Sequence, residues 1–465
     1  MAKREAEIYS QQHDMKRLLA AAVVAIVSTP SLWALSVTIT AGGLEDAVTD
    51  LTITELTVSG TMDVRDFSFI AENLTSLTTL DISGVAIEAY TCSATESYFA
   101  ERGTFAANAI PLNSFFGSGL TSVVLPSTLT EIGEGAFAGC SSLTSVDIPS
   151  AVTTIGEGAF YASGITSASI AAATIGDNAF TYCTSLAEVT LAVTVETIGA
   201  AAFAGCTSLS SVTIASGCAL TTIGDEAFAQ TAITTFDFTN CTSVKSIGTW
   251  VFAGAPLSTA ELPSYIEDVP DGTFFGNSAA TDIALPAATV TIGDYAFYGC
   301  NGVDKMTLTE YVTYIGDNAF ENTYFGEVIA TPTQVPELGE DVFKELNTTD
   351  HQATLYVYEA AYSDYKAAAQ WCEFNIETIE NSGYMGTGTP VTDLTAVFAD
   401  KVLQLTADEM ITRVTVADET GITISYNDTA DYTVYLDTSR MMGHVYIVRA
   451  TLASGAVSTL KLMRK

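Results

Sequence analysis

The chain has 465 residues, 48% of them hydrophobic, so it is long enough and apolar enough to form a large ordered core. Its 54 acidic residues against 17 basic ones give a formal net charge of −37 at pH 7. Such a surface repels phosphate backbones and anionic lipids, which argues against nucleic-acid binding and membrane-surface binding. Solubility is the simpler explanation of the charge, ahead of a dedicated acidic binding device.

The first segment, residues 1–34, is predicted to be a leader that contains a secretory signal peptide. Met15 is followed by Lys16, Arg17 and an apolar run, and cleavage is expected after Ala34. We interpret Met15 as the true start of the protein. The apolar run is too short to span a bilayer comfortably and no other run approaches that length, so the mature chain is expected to have no transmembrane segment.

Residues 35–109 are interpreted as an N-terminal cap. Residues 35–84 alternate apolar and polar side chains, as in Leu51 to Val58, which predicts short strands. We read these strands as degenerate repeats that close the exposed end of a repeat array. The stretch 88–109 breaks the pattern and is predicted to be a loop.

Residues 110–380 contain a repeat whose best copy runs from Thr130 to Pro149. A phenylalanine marks each copy at intervals of 20 to 25 residues. This period predicts a mainly β repeat solenoid of about 11 coils of about 23 residues, in which the marker rings stack as a ladder. The marker residues are Phe115, Phe137, Phe160, Phe180, Phe203, Phe228, Phe252, Phe274, Phe297, Phe320 and Phe343.

Within one copy, Val146 and Ile148 alternate with Asp147, which predicts a strand with Asp147 on its outer face. The pair Ile132-Gly133 predicts a corner at which a side chain would clash. The complete pattern I-G-x-x-A-F-x-x-C-x-x-L-x-x-V-x-I-P extends over residues 74–380 and resembles the BspA-like leucine-rich repeat family of bacterial surface proteins. Since members of that family are often adhesins, the resemblance implies a surface-exposed binding or adhesion role.

Three elements are predicted after the repeats. Residues 354–358 read as a last strand. Residues 362–371 place their large side chains at helical spacing and predict a helix that covers the last coil. Residues 381–390 are predicted to be a linker, and short alternating segments in residues 391–465 predict a small antiparallel β-sandwich.

The terminal module resembles the C-terminal sorting domain of the type IX secretion system. The resemblance rests on residues 414–421, 443–450 and 460–465, although the usual glycine pair is only partly kept at Gly443-His444. It implies that residues 391–465 contact the secretion machinery and are then cleaved or anchored, in a Gram-negative bacterium of the Bacteroidetes type. The protein would be secreted or held at the outer-membrane surface. The alternative is an immunoglobulin-like β module that ends the chain.

No catalytic residue, metal site or cofactor is predicted. The histidines, His13, His351 and His444, are scattered over the leader, an end loop and the terminal module, which argues against a hydrolase. Phosphate-binding loops, EF-hands and Cys/His clusters are not found in the sequence. The aspartates that follow Ile-Gly pairs, such as Asp177 and Asp294, are interpreted as solvated turn residues.

Eight cysteines are present, and free buried thiols are the expected state for the repeat positions. Four of them lie three residues after a marker phenylalanine: Cys140, Cys183, Cys206 and Cys300. Bridges between Cys183 and Cys206, and between Cys218 and Cys241, remain open from the sequence.

The candidate ligand-binding residues are the outward positions of the repeated strands, because extended solenoid faces are common binding surfaces. They are Asp147, Ser169, Thr190, Thr213, Asp237, Glu261 and Thr307, with Val124, Ala284 and Ile329 in the same position of other copies. Exposed aromatic residues form an alternative patch: Tyr161, Tyr182, Phe275, Tyr298 and Tyr324. The expected partner is an extracellular protein or glycan. The alternatives are a structural component of the cell envelope or matrix and an accessory protein of glycan degradation.

Overall fold

The structure is a computed structural model that describes residues 34–346 and 352–379 and five strands between residues 395 and 463. The predicted signal sequence as far as Trp33, the linker 381–390 and all three histidines lie outside these residues. The described part of the chain up to residue 379 is a mainly β parallel solenoid, as the period predicts.

The N-terminal region has parallel strands connected by helices. Its helix Val64–Asn73 begins with a capping box. The Asp63 side chain accepts a hydrogen bond from the Asp66 backbone N–H, and the Asp66 side chain accepts one from the Asp63 backbone N–H. The sequence pattern did not predict this helix. The elements are β1 (Ala34–Ile39), the helix Leu44–Ala47, β2 (Glu55–Met62), the helix Val64–Asn73, β3 (Thr79–Ile87), and an antiparallel pair, β4 (Tyr90–Thr91) and β5 (Thr104–Phe105), in the predicted loop.

Each following coil contains a two-residue strand, a turn segment and, in most coils, a longer strand. The strands are β6 (Ala109–Ile110), β7 (Ser122–Val124), β8 (Glu131–Ile132), β9 (Thr154–Ile155), β10 (Ser167–Ile170), β11 (Thr174–Ile175), β12 (Glu188–Leu191), β13 (Thr197–Ile198), β14 (Ser211–Ile214), β15 (Thr222–Ile223), β16 (Ser246–Ile247), β17 (Thr259–Glu261), β18 (Asp268–Val269), β19 (Asp282–Ala284), β20 (Thr291–Ile292), β21 (Lys305–Leu308), β22 (Tyr314–Ile315), β23 (Glu327–Ala330), β24 (Glu337–Leu338), β25 (Thr354–Val357) and β26 (Asn375–Thr378).

The solenoid has about 15 turns of about 23 residues. The predicted number of about 11 counted only turns with a marker phenylalanine, whereas β1, β2, β3 and β26 each complete a further turn. Strand β26 also corrects the prediction that residues 354–358 form the last strand, because β26 pairs with β25 in parallel register.

Both sheets of the solenoid are interrupted at one place. The two-residue strands form one sheet from β6 to β16 and another from β18 to β24, and the longer strands stop at β14 and resume at β17. The longer strands are also interrupted once earlier, between β7 and β10, where the two-residue strands continue and one isolated bridge joins Val123 to Val146. Between β14 and β17 a 3-10 turn, Phe238–Asn240, occupies the position of the missing longer strand. We call residues 109–247 the N-terminal stack and residues 248–378 the C-terminal stack. Turn segments continue across the junction, where the Phe228 N–H donates to the Val251 carbonyl at 2.9 Å.

The marker phenylalanines form an unbroken ladder of stacked, buried rings. Neighbouring centroids lie between 5.1 Å and 5.9 Å apart, and the widest spacing, between Phe252 and Phe274, lies beside the junction. Aromatic pairs at such distances contribute about 0.5–1.5 kcal/mol each beyond the burial of their area. The ladder therefore links the two stacks where neither sheet does.

The corner after each two-residue strand is tightly packed against the preceding coil. A Cβ atom on Gly199 would lie 2.6 Å from the Gly176 carbonyl carbon. Below the corner, the Asp177 Oδ1 atom accepts a hydrogen bond from Ala200 N–H of the next coil at 2.8 Å. The same bond is made by Asp225, Asp271, Asp294 and Asp317. The aspartates interpreted as solvated turn residues therefore join successive coils.

The cysteines of the marker motif are buried, and every described cysteine is a free thiol. The Cys140 thiol donates to the Phe115 carbonyl of the preceding coil at 2.9 Å, and the Cys183 thiol donates to the Phe160 carbonyl at 3.0 Å. Burial raises the pKa of Cys300 to about 12. These positions therefore hold small buried side chains that donate a weak hydrogen bond.

The two ends of the phenylalanine ladder are covered by aromatic residues. At the first end, Phe67 of the helix Val64–Asn73 meets Phe115 edge-on at 6.0 Å. At the last end, Trp371 packs 5.0 Å from Phe343. The predicted helix over residues 362–371 is shorter than its spacing suggested, Tyr362–Ala367, because Ala368 is extended and Gln370 has a positive φ of 61°.

The C-terminal module consists of antiparallel strands. They are β27 (Thr395–Ala399), β28 (Val402–Asp418), β29 (Thr423–Asp437), β30 (Val445–Leu452) and β31 (Val457–Met463). Four of the predicted short strands are joined into the two long strands β28 and β29, whose pairing shifts register between Thr406 and Ile411. One end of β28 pairs with β27 and the other with β30.

Candidate binding surface

Three of the predicted binding positions, Ser169, Thr190 and Thr213, lie on the outer face of the longer strands and are exposed. Asp147 is also exposed, but the predicted strand around it is not formed: only an isolated bridge joins Val146 to the preceding coil. Ser169, Thr190 and Thr213 are in register on β10, β12 and β14 and so form a short row of small polar side chains. The row has no aromatic residue and no arginine, which are the residue types that dominate binding hot spots.

The row of outward strand positions that the repeat period predicted is not continuous beyond Thr213. Asp237 is not a strand residue: it precedes the 3-10 turn and accepts a hydrogen bond from Thr239 N–H at 2.8 Å. The pKa of Asp237 is lowered mainly by a hydrogen bond from the Thr239 side chain and further by the one from the Thr239 backbone N–H. Glu261 is exposed and Thr307 half-buried, but Ile329, which shares their sequence position, is buried between register neighbours Thr307 and Tyr356.

Many threonines and serines of the solenoid serve contacts between coils. The Thr166 hydroxyl donates to the Thr144 carbonyl at 3.2 Å, and the Thr153 hydroxyl donates to the Thr130 carbonyl at 3.1 Å. The Ser258 hydroxyl makes the same bond to Thr234 at 3.2 Å. The threonine-rich composition is therefore explained in large part by bonds along the stack.

The turn segments form a second surface. In the N-terminal stack their outer positions are mostly small, and the aromatic exceptions are Phe116, which is 67% exposed, and the pair Tyr161 and Tyr182. The two tyrosine rings meet edge-on at 5.7 Å. Tyr182 lies over Gly205 of the next coil, where a Cβ atom would be 2.4 Å from the ring.

The turn segments of the C-terminal stack carry a larger group of rings, Trp250, Phe275, Tyr295 and Tyr298, which we call the aromatic cluster. Phe275 is stacked on Tyr298 at 4.8 Å and lies 5.1 Å from Trp250. Tyr295 lies 6.1 Å from Trp250 and 6.0 Å from Tyr298. All four side chains are half-buried, so the rings shield one another and remain open to solvent.

Two members of the cluster occupy strained backbone positions. Trp250 has φ 57° and Tyr295 has φ 56°, a region that costs residues other than glycine about 1–2 kcal/mol. The equivalent residues in other coils include Gly135, Gly158 and Asn178, which tolerate this conformation better. The Trp250 ring lies flat over Gly272, where a Cβ atom would be 2.2 Å from it.

An acidic row runs beside the cluster, formed by Asp271, Asp294 and Asp317. Their backbone carbonyls accept hydrogen bonds from Trp250, Gly272 and Tyr295 N–H groups at 2.8 Å, 2.8 Å and 2.9 Å. Asp294 directly precedes Tyr295, and the carbonyls of Asp271 and Asp317 bind the backbone of cluster residues, so the row lies beside the cluster.

Tyr314, on strand β22, reports the charge density of this row. Burial raises the pKa of its phenol, and the negative charges of Asp294, Asp317, Glu337 and Asp271 raise it further. The described residues include no group of three or more His, Cys, Asp or Glu side chains placed to hold a metal ion. The rings can stack on a ligand, and the carboxylates can accept hydrogen bonds or pair with positive charge.

The sequence predicted only part of this surface. The predicted aromatic patch included Phe275 and Tyr298 but not Trp250 or Tyr295. Tyr161 and Tyr182 of the predicted patch lie in the other stack. The missed signal is positional: Trp250 and Tyr295 both occur three residues after the isoleucine of an Ile-Gly pair, where other copies have Gly, Asn, Ala or an acid.

A parallel β solenoid with a repeating Ile, Leu and Phe core is a leucine-rich repeat architecture. The family model for the BspA type leucine rich repeat region matches residues 108–231 and 221–349, in six copies. The chain therefore belongs to the BspA-type leucine-rich repeat family. No curated protein is significantly similar to it.

The chain is also similar to solved structures. A leucine-rich repeat protein from Bacteroides ovatus is 20% identical, with 70% of this chain and 88% of that chain covered and a TM-score of 0.38. The pneumococcal vaccine antigen PcpA is 18% identical, with 58% and 72% covered and a TM-score of 0.36. A leucine rich cell surface protein from Faecalibacterium prausnitzii is 20% identical, with 66% and 85% covered and a TM-score of 0.32.

Within the described residues, none of the helices combines the length and the apolar character that crossing a bilayer requires.

Proposed function

We propose that this protein is exported to the cell surface, where the solenoid binds an extracellular protein or glycan. BspA-like leucine-rich repeat proteins are cell-surface proteins, and their repeats suggest binding or adhesion. The observation that carries the proposal is the aromatic cluster, because half-exposed Trp and Tyr rings are typical anchors of a binding site. No catalytic activity is part of the proposal.

Export is assigned to the two ends of the chain. The leader at residues 1–34 would direct the chain across the inner membrane, and residues 391–465 would engage a type IX secretion system. Support comes from the sequence resemblance and from the antiparallel strands of the module. Deletion of residues 391–465 is expected to leave the protein in the periplasm. Export of the truncated chain at the normal level would contradict the sorting role.

The surface location is tested by protease treatment of intact source cells, followed by identification of the released peptides. Few tryptic sites are available in the solenoid, but Lys245 and Lys305 lie within it and are exposed. Release of peptides that end at these lysines from intact cells is expected. Their release only after rupture of the outer membrane would make the protein periplasmic and would remove both the adhesion and the sorting proposals.

A further inference from the structure

We propose that the aromatic cluster and the acidic row beside it bind an arginine-rich segment of a partner protein. The inference rests on the proposed binding function and names its site and its partner's chemistry. It commits to a basic protein segment, and binding of a neutral glycan is an outcome that would contradict it.

The first argument is the geometry of the rings. Trp250, Phe275, Tyr295 and Tyr298 come from three consecutive coils and touch in five ring pairs with centroids 4.8–6.5 Å apart. The Tyr298 hydroxyl accepts a hydrogen bond from the Asn322 amide at 2.8 Å, which holds that ring in place. A guanidinium plane stacks on such rings by cation–π attraction and dispersion.

The second argument is charge. Between residues 108 and 343 the sequence has 24 aspartates and glutamates but only two lysines and no arginine. In residues 268–318, which hold the acidic row and most of the cluster, the one basic residue is Lys305. Lys305 lies on strand β21 of the longer-strand sheet and forms an ion pair with Glu327 at 3.1 Å. A basic segment therefore meets no like charge from residues 268–318 on the turn surface.

The third argument is the backbone cost. Every coil with a marker phenylalanine has a positive φ at this turn position, and Asn178 and Asn318 show that a less strained residue fits it, so two large aromatic residues here, Trp250 and Tyr295, are the unusual choice. The strain gives no benefit to the phenylalanine ladder, whose rings stack at 5.2 Å and 5.1 Å in coils with glycine or asparagine at this position and at 5.8 Å and 5.9 Å on either side of Phe252. Strained residues of this kind are frequently retained at functional sites.

The carboxylates supply direction as well as charge. Asp271, Asp294 and Asp317 each use the Oδ1 atom to accept the N–H of the next coil, which fixes the side chains in one row. Fixed carboxylates are well suited to paired hydrogen bonds from a guanidinium fork, whereas a lysine ammonium provides a single point charge. The site is therefore expected to prefer arginine to lysine.

The test measures binding of an eight-residue peptide of alternating Arg and Ser to the full chain, by calorimetry in 0.15 M salt. A peptide with Lys in place of Arg, a peptide with Glu in place of Arg, and neutral oligosaccharides are run in parallel. The Arg peptide is expected to bind at least three-fold more tightly than the Lys peptide, and the Glu peptide and the oligosaccharides are expected not to bind.

The variants Trp250→Asn and Tyr295→Asn remove the rings but keep a residue that suits a positive φ. Together they are expected to weaken Arg-peptide binding at least ten-fold. The matched control, Ala201→Asn, changes the equivalent turn position of the N-terminal stack, where φ is 51°, and is expected to leave binding unchanged. Equal binding by all variants would show that the net charge alone attracts the peptide and would overturn the site. Oligosaccharide binding that the Trp250 variant abolishes would overturn the choice of partner.

The outcome is separable from that of the proposed function. Surface exposure of the solenoid on cells together with no peptide binding would remove this inference and leave the surface role standing. Peptide binding by a protein that proves to be periplasmic would keep the site and remove the surface role.

Discussion

The N-terminal and C-terminal stacks share a core and differ at the turn surface. In both, the marker phenylalanines are stacked within 5.9 Å and the corners leave no room for a Cβ atom. At the outer turn positions the first stack has Gly135, Gly158 and Ala201, whereas the second has Trp250 and Tyr295. Inward positions are constrained by the neighbouring coils, but outward positions are free to vary, and that freedom is where a binding function can be added to a repeat array.

The junction between the stacks is held by fewer interactions than the coils within each stack. Neither sheet crosses the junction, because the two-residue strands break between β16 and β18 and the longer strands between β14 and β17. The ladder and the turn segments therefore carry the connection. Repeat arrays are stabilised mainly by contacts between neighbours, so a weak contact divides the array into separately unfolding parts. The predictions that follow test how far the two stacks behave as one unit.

The largest effect is expected from Phe252→Ala at the junction. Removal of a buried phenylalanine costs about 3–5 kcal/mol of unfolding free energy. Phe252 contacts Phe228 and Phe274 at 5.8 Å and 5.9 Å and also packs against Phe236 at 5.1 Å. Its loss should separate denaturant unfolding into two transitions. Far-ultraviolet circular dichroism monitors the unfolding of both stacks, and tryptophan fluorescence monitors that of the C-terminal stack.

The control is Phe180→Ala inside the N-terminal stack, in a coil where both sheets continue to the coils on either side. It is expected to lower the unfolding free energy by a similar amount, but the transitions seen by fluorescence and by circular dichroism should still coincide. Coincident transitions in Phe252→Ala would show that the turn segments alone couple the stacks, and the division drawn here would then be wrong.

How much of this division was visible in the sequence can be judged at Asp237. The period predicted a strand through Phe236, Asp237 and Phe238, because apolar and polar residues alternate there. Asp237 and Thr239 can also bond locally, and the chain forms a 3-10 turn instead. The local hydrogen bond is formed in place of the strand, and the spacing alone could not reveal that choice.

The next effect concerns the corner glycines, and it should be equal in the two stacks. Gly199→Ala would place its Cβ atom 2.6 Å from backbone atoms of the preceding coil, and Gly316→Ala would do the same at 2.6 Å. Overpacking of this kind costs about 1–3 kcal/mol. Thermal and urea unfolding of the two variants measure it. Gly119→Ala is the control, because its nearest neighbour would be 4.0 Å away and its φ is ordinary. A much smaller cost in one stack would show that its coils are more loosely packed.

A third prediction concerns Asn277 in the C-terminal stack, which is fully buried and whose side-chain amide has no hydrogen-bond partner among the described residues. The equivalent Thr323 donates to the Phe297 carbonyl of the preceding coil at 3.1 Å. Asn277→Thr should therefore gain a bond to the Phe252 carbonyl and stabilise the chain by about 1 kcal/mol. Thr323→Asn is the reverse control and should destabilise. An unchanged melting temperature in Asn277→Thr would mean that the amide is satisfied in solution.

The same position shows what the repeat pattern predicts well. Three residues after each marker phenylalanine the sequence indicates a small buried residue, and Cys140, Cys183 and Thr323 all donate to a carbonyl of the preceding coil. The prediction works because every coil repeats the same inward contact. It fails for the turn surface, where Trp250 and Tyr295 depend on neighbours from other coils and where the period carries no information about which side chain is needed.

The smallest effect is expected at the strained turn position, and it compares the stacks directly. Glu226→Gly relieves a φ of 56° in the N-terminal stack and should stabilise the chain by about 0.5–1 kcal/mol. Tyr295→Gly relieves the same φ in the C-terminal stack but loses ring contacts with Trp250 and Tyr298 at 6.1 Å and 6.0 Å. Because an aromatic pair is worth about 0.5–1.5 kcal/mol, relief and loss should nearly cancel in the second variant. Chemical denaturation of both variants gives the difference between them. If Tyr295→Gly were stabilised as much as Glu226→Gly, the cluster would add nothing to folding, and a tyrosine at a strained position would then require a role in binding to explain it.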